Sequence, residues 1–249
     1  MKGIIIAAGI GSRLMPLTEN KPKCLLDVGG KTIMQRQLEA LRGSGVDDIV
    51  VVRGYKSEVI DFPDIRYYEN TEYQNNNILK SLFCAAGEMN DGFVFSYSDI
   101  LYEQSVVEKL TRDEASISLV VDTDWQGHYQ GRLLHPIQQA ELVRFNGGRM
   151  VQAGKDNMSP AEAHGEFIGL AKFDRKGAET LISNYKIAVE KYGDRPFHQA
   201  ATLEKAYLTD MIQELIDRDY QIGSVDIRGG WVEIDTSEDL ERARGMGWA

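Results

Sequence analysis

Residues 2–14 read Lys-Gly-Ile-Ile-Ile-Ala-Ala-Gly-Ile-Gly-Ser-Arg-Leu, and this stretch decides the fold. The run from 2 to 8 is apolar and β-branched, the pattern of a strand buried on both faces, and Gly9 stops it. Glycines placed directly after such a strand let backbone N–H groups approach phosphate oxygens, because no Cβ stands in the way. Ala8, Gly9, Gly11 and Ser12 are therefore the expected nucleotide-phosphate loop. Arg13 within it, and Lys23 in the following Lys21-Pro22-Lys23, supply charge-assisted hydrogen bonds to a polyphosphate and are the candidate catalytic cations.

Other phosphate loops fit less well. A Walker loop needs Gly-x-x-x-x-Gly-Lys-Ser/Thr, which this stretch lacks. A dinucleotide fingerprint needs a third glycine where Leu14 stands, and favours an acidic residue after the second strand, where Arg53 stands. A purely structural glycine turn leaves unexplained why two basic residues follow it in so acidic a chain.

Outward from the loop, strand and helix patterns alternate. An amphipathic helix with Thr32 as its cap is expected to Arg42, then strands at Asp48–Arg53 and Ile65–Tyr68. A helix at Asn77–Glu88, a strand at Gly92–Tyr97, a helix at Ser105–Thr111 and a strand at Ile117–Val121 follow. This alternation predicts an α/β fold, a Rossmann-like, doubly wound and mostly parallel sheet. The second half reads differently. Ala140–Phe145, the Gly147-Gly148 turn and Arg149–Gly154 form a β-hairpin pattern, followed by a strand at Glu166–Phe173. Helices at Lys176–Tyr192 and Glu204–Asp217, strands at Ile222–Ile227 and Trp231–Ile234, and a capped helix at Ser237–Arg244 complete the chain. Without a repeat or a linker, one domain over residues 1–249 is expected, the hairpin half forming a small acceptor lobe on the same sheet.

Composition narrows the function. A length of 249 residues suffices for one large domain, and 43% hydrophobic with 27% charged residues is ordinary for a globular protein. The net charge of −10 argues against nucleic acid or an anionic membrane as partner. It also requires that a phosphate-binding site concentrate its basic residues, helped by a divalent cation. Apolar runs are far shorter than the ~20 residues of a membrane span. The strand-like start leaves no room for a signal peptide. Cys24 and Cys84 lack metal-ligand spacing and fit reduced thiols in a cytoplasmic protein. A homo-oligomer is compatible with all of this.

Asp99, just after the strand ending at Tyr97, and Asp235, just after Trp231–Ile234, lie where open α/β sheets place ligand-binding groups. Two carboxylates from separate strand ends suit one Mg2+, whose hard shell prefers oxygen. Either could instead cap a turn or helix; Asp235 precedes Thr236 and Ser237, where caps are common. His128, His135, His164 and His198 are scattered and read as surface or substrate-shaping residues. Asn76, Asn77 and Ser81 open a helix near the expected base, where amides and a hydroxyl can read a Watson–Crick edge or simply cap the helix.

The extended pattern Ala7 to Leu14, Pro16 to Thr18 and Lys21 to Lys23 resembles the nucleotidyltransferases that make nucleotide sugars and CDP-alcohols. The likeness continues at Val28-Gly29-Gly30-Lys31 and Trp231 to Thr236. It implies transfer of NMP from an NTP to a phosphorylated acceptor with release of pyrophosphate, and it matches Asp99 and Asp235 to the family's metal-binding aspartates. The Asn75-Asn76-Asn77 and Ser81-Leu82 region resembles cytidylyltransferases acting on phosphocholine, which implies CTP. Segments such as Ser96 to Leu101, Val121 to Trp125 and Gly165 to Gly169 are similar to phosphonate-pathway cytidylyltransferases and imply an acceptor of the 2-aminoethylphosphonate or phosphocholine class. By the same likeness Lys155 matches a lysine on the acceptor phosphate, and Glu166 lies in a segment that faces the acceptor. Trp125, Tyr129 and Trp231 are then candidates for an aromatic wall around an ammonium group, or are core residues. A sugar-1-phosphate nucleotidyltransferase is the competing enzyme. A catalytically silent nucleotide-sensing subunit is the competing non-enzyme, which need not keep Arg13, Lys23, Asp99 and Asp235 together.

Overall fold

The structure, a computed structural model, describes residues 1–248. Strands β1 (Lys2–Ala7), β2 (Asp27–Val28), β3 (Lys31–Thr32), β4 (Ile49–Arg53), β5 (Ile65–Glu69), β6 (Phe93–Tyr97), β7 (Ile100–Tyr102) and β8 (Ile117–Asp122) are interleaved with helices α1 (Ile33–Gly43), α2 (Ile78–Cys84) and α3 (Gln104–Arg112). The second half contributes β9 (Glu141–Asn146), β10 (Arg149–Lys155), β11 (Gly165–Phe173), α4 (Arg175–Tyr192), α5 (Leu208–Asp217), β12 (Gly223–Ile227), β13 (Trp231–Glu233) and α6 (Ser237–Gly245).

The main sheet runs β10-β9-β11-β6-β1-β4-β5, with β8 also paired to β11 and β12 to β8. The part that carries the glycine loop, β6-β1-β4-β5, is parallel throughout. The expected α/β sheet is thus present, and antiparallel pairing gathers around β11, which meets β6, β8 and β9. All nine residues of β11 are buried, as a strand at the centre of a covered sheet must be.

Alternation along β1 fills both faces. Ile4 and Ile6 join Phe93 and Phe95 in the layer covered by α4 and α5, while Ile5 and Ala7 pack with Met34, Leu38 and Val107 of α1 and α3. Thr32 caps α1 as expected, in a capping box with Gln35.

Two helices are shorter than their patterns suggest. α2 ends at Cys84 and gives way to a 3-10 turn at Ala86–Glu88. α5 starts at Leu208, after a 3-10 turn at Leu203–Lys205, because the Asp210 carboxylate accepts the Tyr207 N–H at 2.8 Å and fixes the start there. Among the described residues, no helix is long and apolar enough to cross a membrane.

The arrangement that matters most lies off the main sheet. β13 pairs antiparallel with β7, Glu233 opposite Ile100, so the end of one strand meets the start of the other. Asp99 and Asp235, 136 residues apart in number (235 − 99), are thereby brought together, and Ile234 N–H donates to the Asp99 carbonyl at 2.9 Å.

Candidate active site

The segment after β1 turns sharply. Gly11 has φ 66°, a left-handed conformation that favours glycine, and a Cβ there would come within 3.2 Å of Lys23 Cβ. Thr18, fully buried, pins the turn by donating to the Gly11 carbonyl at 2.9 Å. The loop is thus packed against Lys23, and the space above Gly9 is open.

A cavity of about 260 Å3 opens at this end of the sheet. Gly9, Gly11, Ser12, Arg13 and Lys23 line it, with Asn77, Asp99, Glu233 and Asp235; Lys155, Glu141, Glu166, Phe167, Tyr207 and Trp231 also line it, from the second half of the chain. Lys23 Nζ lies 2.8 Å from Asp99 Oδ2 and also donates to Asp235. Arg13 donates to Asp235 and to Gln139. The cavity is smaller than the ~300–1,000 Å3 common for small-molecule sites. Lys23 and Arg13 line it, and both reach onto Asp235.

The surroundings fix these charges. Burial alone would lower the Lys23 ammonium, yet Asp99 and Asp235 outweigh it and hold its pKa above the ordinary lysine value. Burial likewise works against the Asp235 carboxylate, and Lys23 and Arg13 hold it below the usual range. Gln37, 1% exposed, donates to the carbonyls of Tyr97 and Ile100, both at 2.7 Å, and so clamps the turn that presents Asp99. One Asp99 oxygen, Oδ1, is buried without a hydrogen-bond partner. Glu233 is raised well above the usual carboxyl value by burial and by Asp235 and Asp99. His135 Nε2, Glu233 and Asp235 offer ligand atoms within 4.8 Å of one another. The Glu233 and Asp235 carboxylates with a His135 ring nitrogen are a donor set that fits a divalent cation, and Asp99, with its orphaned oxygen, lines the same cavity.

Among the lining groups from the second half of the chain, Glu166 is 3% exposed and its Oε1 accepts from Tyr129 OH at 2.5 Å. Its Oε2 is buried without a partner, and burial raises the carboxyl to about 8. Lys155 Nζ stands 5.0 Å from the Tyr207 ring centroid. Burial opposes its charge, but Tyr207, Glu141 and Glu233 hold its pKa above the ordinary value. Glu141 accepts from Tyr97 OH at 2.8 Å and from Thr209.

The expected site residues divide into those that reach the cavity and those that do not. Arg13, Lys23, Gly9, Gly11, Ser12, Asn77, Asp99, Asp235, Lys155, Glu166 and Trp231 line it. Ala8 is buried beneath, its carbonyl accepting from Tyr55 N–H at 3.0 Å. Asn76 exchanges two hydrogen bonds with Asn70, and Ser81 accepts from Asn70 at 2.8 Å, so both are turned into the protein. Asn77 caps α2 through Ile78 N–H at 2.9 Å while bordering the cavity. Trp125 and Tyr129 pack with Ala140 and Leu142 behind the wall, so of the three aromatics only Trp231 faces the site. Trp231 is itself occupied: its Nε1 donates to Asp122 at 2.7 Å and its ring stacks on His128.

Some lining groups were not expected. Glu233 is signalled by its place two residues before Asp235 on strand-like sequence, since i and i+2 share a face. Glu141, flanked by Ala140 and Leu142, is a charged residue in an apolar run, a pattern that demands partners. His135, which does not line the cavity, is 1% exposed rather than at the surface, enclosed by Arg132, Asp239 and Glu233. Nothing in the local sequence marks it.

The family model for the MobA-like NTP transferase domain matches residues 3–157. The CTP:phosphoglutamine cytidylyltransferase of Campylobacter jejuni is 32% identical over 97% of this chain and 98% of its own length. The 2-aminoethylphosphonate cytidylyltransferase of Lancefieldella rimae is 38% identical over 72% of this chain and 69% of its own. The choline-phosphate cytidylyltransferase of Streptococcus pneumoniae is 35% identical over 45% of this chain and 51% of its own length. Among solved structures, the CTP:phosphocholine cytidylyltransferase of Streptococcus pneumoniae superposes with a TM-score of 0.73 at 21% identity, covering 98% of each chain, a likeness of fold.

Proposed function

The chain belongs to the family of MobA-like NTP transferase domains, and from that premise we propose that it is a single-domain, CTP-dependent cytidylyltransferase acting on a small acceptor with a phosphonate or phosphomonoester group. The observation that carries this reading is the cavity itself. A strand-end glycine loop, two cations and a set of carboxylates converge at one end, and a lysine and an orphaned buried glutamate lie with them. CTP is supported by three relatives whose names all state a cytidylyltransferase activity.

In the proposed reaction an acceptor oxygen attacks the α-phosphorus of CTP. The new P–O bond forms as the α–β bridging P–O bond breaks, and pyrophosphate leaves with that electron pair. A phosphomonoester has a second pKa of ~6, so its nucleophile is already ionised at neutral pH and needs no general base. What remains is to bring two anions together and to stabilise charge on the transferring group. Arg13 and Lys23 are placed to hold the triphosphate. Lys155 is placed for the acceptor's anionic end, and Glu166, through Oε2, for a cationic N–H at the other end. Asp99, Asp235 and Glu233 are the residues that would hold Mg2+, which when bound would neutralise phosphate charge and act as a Lewis acid. The free thiols of Cys24 and Cys84 fit a reducing compartment, and we place the enzyme in the cytoplasm.

The test is pyrophosphate release with CTP, UTP, dTTP, ATP and GTP against 2-aminoethylphosphonate, phosphocholine and glucose 1-phosphate. CTP with an amine-bearing acceptor is expected to be used best. Preference for UTP or dTTP with the sugar phosphate would return the chain to the sugar-nucleotide reading, and no turnover with any pair would favour a silent subunit.

A further inference from the structure

Asp239, in the first turn of α6, is 1% exposed and does not line the cavity. Its Oδ2 accepts from the backbone N–H of Asp235 at 3.1 Å, the N–H of Thr236 at 2.9 Å and the Thr236 hydroxyl at 2.9 Å. Those contacts complete the capping box of α6, and they also fix the backbone that presents Asp235 to the cavity. A cap requires nothing more of this side chain.

The other oxygen is directed elsewhere. Oδ1 accepts from Arg132 Nε at 2.8 Å, in an ion pair whose side chains are 6% and 1% exposed. The Arg132 guanidinium lies 4.9 Å from the Tyr129 ring centroid, and the Tyr129 hydroxyl donates to Glu166. His135 Nδ1 lies 2.6 Å from Arg132 Nη2 and 3.3 Å from Asp239 Oδ2, and its Nε2 lies 3.5 Å from Glu233. A buried ion pair is costly to desolvate and is weak support for stability alone. Its geometry here ties together groups from both ends of the cavity.

We propose that Asp239 is a positioning residue that sets the metal-end carboxylate Asp235 and the acceptor-end carboxylate Glu166 at a fixed separation, one through each of its oxygens. The proposal rests on the cytidylyltransferase reading for its substrates. Groups that orient ligand-bearing side chains commonly change affinity or activity by about 10–100-fold when altered.

Asp239→Asn keeps a carbonyl oxygen for the cap but turns an NH2 toward Arg132, which cannot accept from it. With 2-aminoethylphosphonate, kcat/KM is expected to fall at least tenfold, mostly through KM. With ethylphosphonate, which has no amine for Glu166, it should stay within threefold. Arg132→Met should reproduce this split and Arg132→Lys should restore part of it. Asp239→Ala, which removes both oxygens, should also weaken Mn2+ binding at least fivefold by calorimetry with the metal alone. Equal losses on both acceptors would mean a purely structural cap and overturn the proposal, as would unchanged kinetics or unchanged Mn2+ affinity. If wild-type protein releases no pyrophosphate from CTP with either acceptor, the functional reading fails on its own, and the Mn2+ comparison still decides the link from Asp239 to Asp235.

Discussion

Lys23→Met separates the charge of Lys23 from its packing. The methionine keeps an unbranched apolar stem against Gly11 while removing the ammonium that lies between Asp99 and Asp235. The side chains of Lys23, Asp99 and Asp235 are 13%, 24% and 7% exposed, so the carboxylates would be left largely buried and facing each other. Removing one partner of a buried pair costs about 3–5 kcal/mol; the partial exposure of Asp99 places the loss near the lower figure. At ~2–4 °C per kcal/mol for a protein of this size, the melting temperature in a chelator should fall by about 6–12 °C. A divalent cation held by the same carboxylates should restore it. At about 100 times its Kd, Mg2+ contributes ~2.7 kcal/mol, close to the loss. In the wild type the ion must first displace the Lys23 ammonium, so its stabilisation should be smaller there than in Lys23→Met. The assay is thermal unfolding of both proteins with chelator and across a Mg2+ titration, paired with turnover. Turnover should remain about 100–1,000-fold down in Lys23→Met even at saturating Mg2+, because a charged contact to the transferring phosphates is gone. Equal Mg2+ shifts in the two proteins, or no loss in chelator, would refute the claim that Lys23 holds these carboxylates as a cation does.

Asp99→Asn and Asp235→Asn should each lower activity at least tenfold and weaken Mn2+ binding by calorimetry. Because the folded-state Asp235 value is depressed, its stabilisation is present above its unfolded value near 3.8 and lost as pH falls below it; the acid side of the melting profile should therefore flatten in Asp235→Asn. Glu166 is raised to about 8, so its protonated form favours the folded state and that stabilisation is lost as pH rises through about 8, whereas kcat/KM for an amine acceptor should rise over the same range as the carboxylate forms. Glu166→Gln should remove both trends, and in the wild type a primary amine should be preferred over a trimethylammonium acceptor, which has no N–H for Oε2. CTP should exceed UTP at least tenfold in kcat/KM, a difference of ~1.4 kcal/mol, and equal values would remove the assignment of the base.

The fold was legible where hydrophobic period and punctuation agreed. The apolar run before Gly9, the alternation through Val121 and the Gly147-Gly148 hairpin all predict what the chain does. What stayed hidden was set by partners distant in sequence. β11 takes neighbours on both edges, and its nine buried residues look like any interior strand until β6, β8 and β9 are placed beside them. The turn before α5 resembles helix in composition, and only the Asp210 carboxylate on Tyr207 N–H fixes where the helix begins.

The site was legible in its charges and not in its neighbours. Arg13, Lys23, Asp99 and Asp235 are marked by position after strands, but Asn76 and Ser81 turn inward to Asn70, and Trp125 and Tyr129 form a second layer. The acidity of the chain, awkward for an enzyme that binds two anions, takes on a physical meaning at this point. Five carboxylates, Asp99, Glu141, Glu166, Glu233 and Asp235, line the cavity against three cationic side chains, Arg13, Lys23 and Lys155. With all five ionised such a cavity would repel a triphosphate, and the raised values at Glu166 and Glu233 mean that those two carry their charge only when positive charge is added beside them. Two places lack it: Glu233 with the orphaned Asp99 Oδ1, and the orphaned Glu166 Oε2, and at both carboxylates burial raises the pKa. On the proposed reading a divalent ion would answer the first and an acceptor ammonium the second. Each substrate would then enter with a cation of its own, which is how an acidic protein could bring two phosphorus anions into contact.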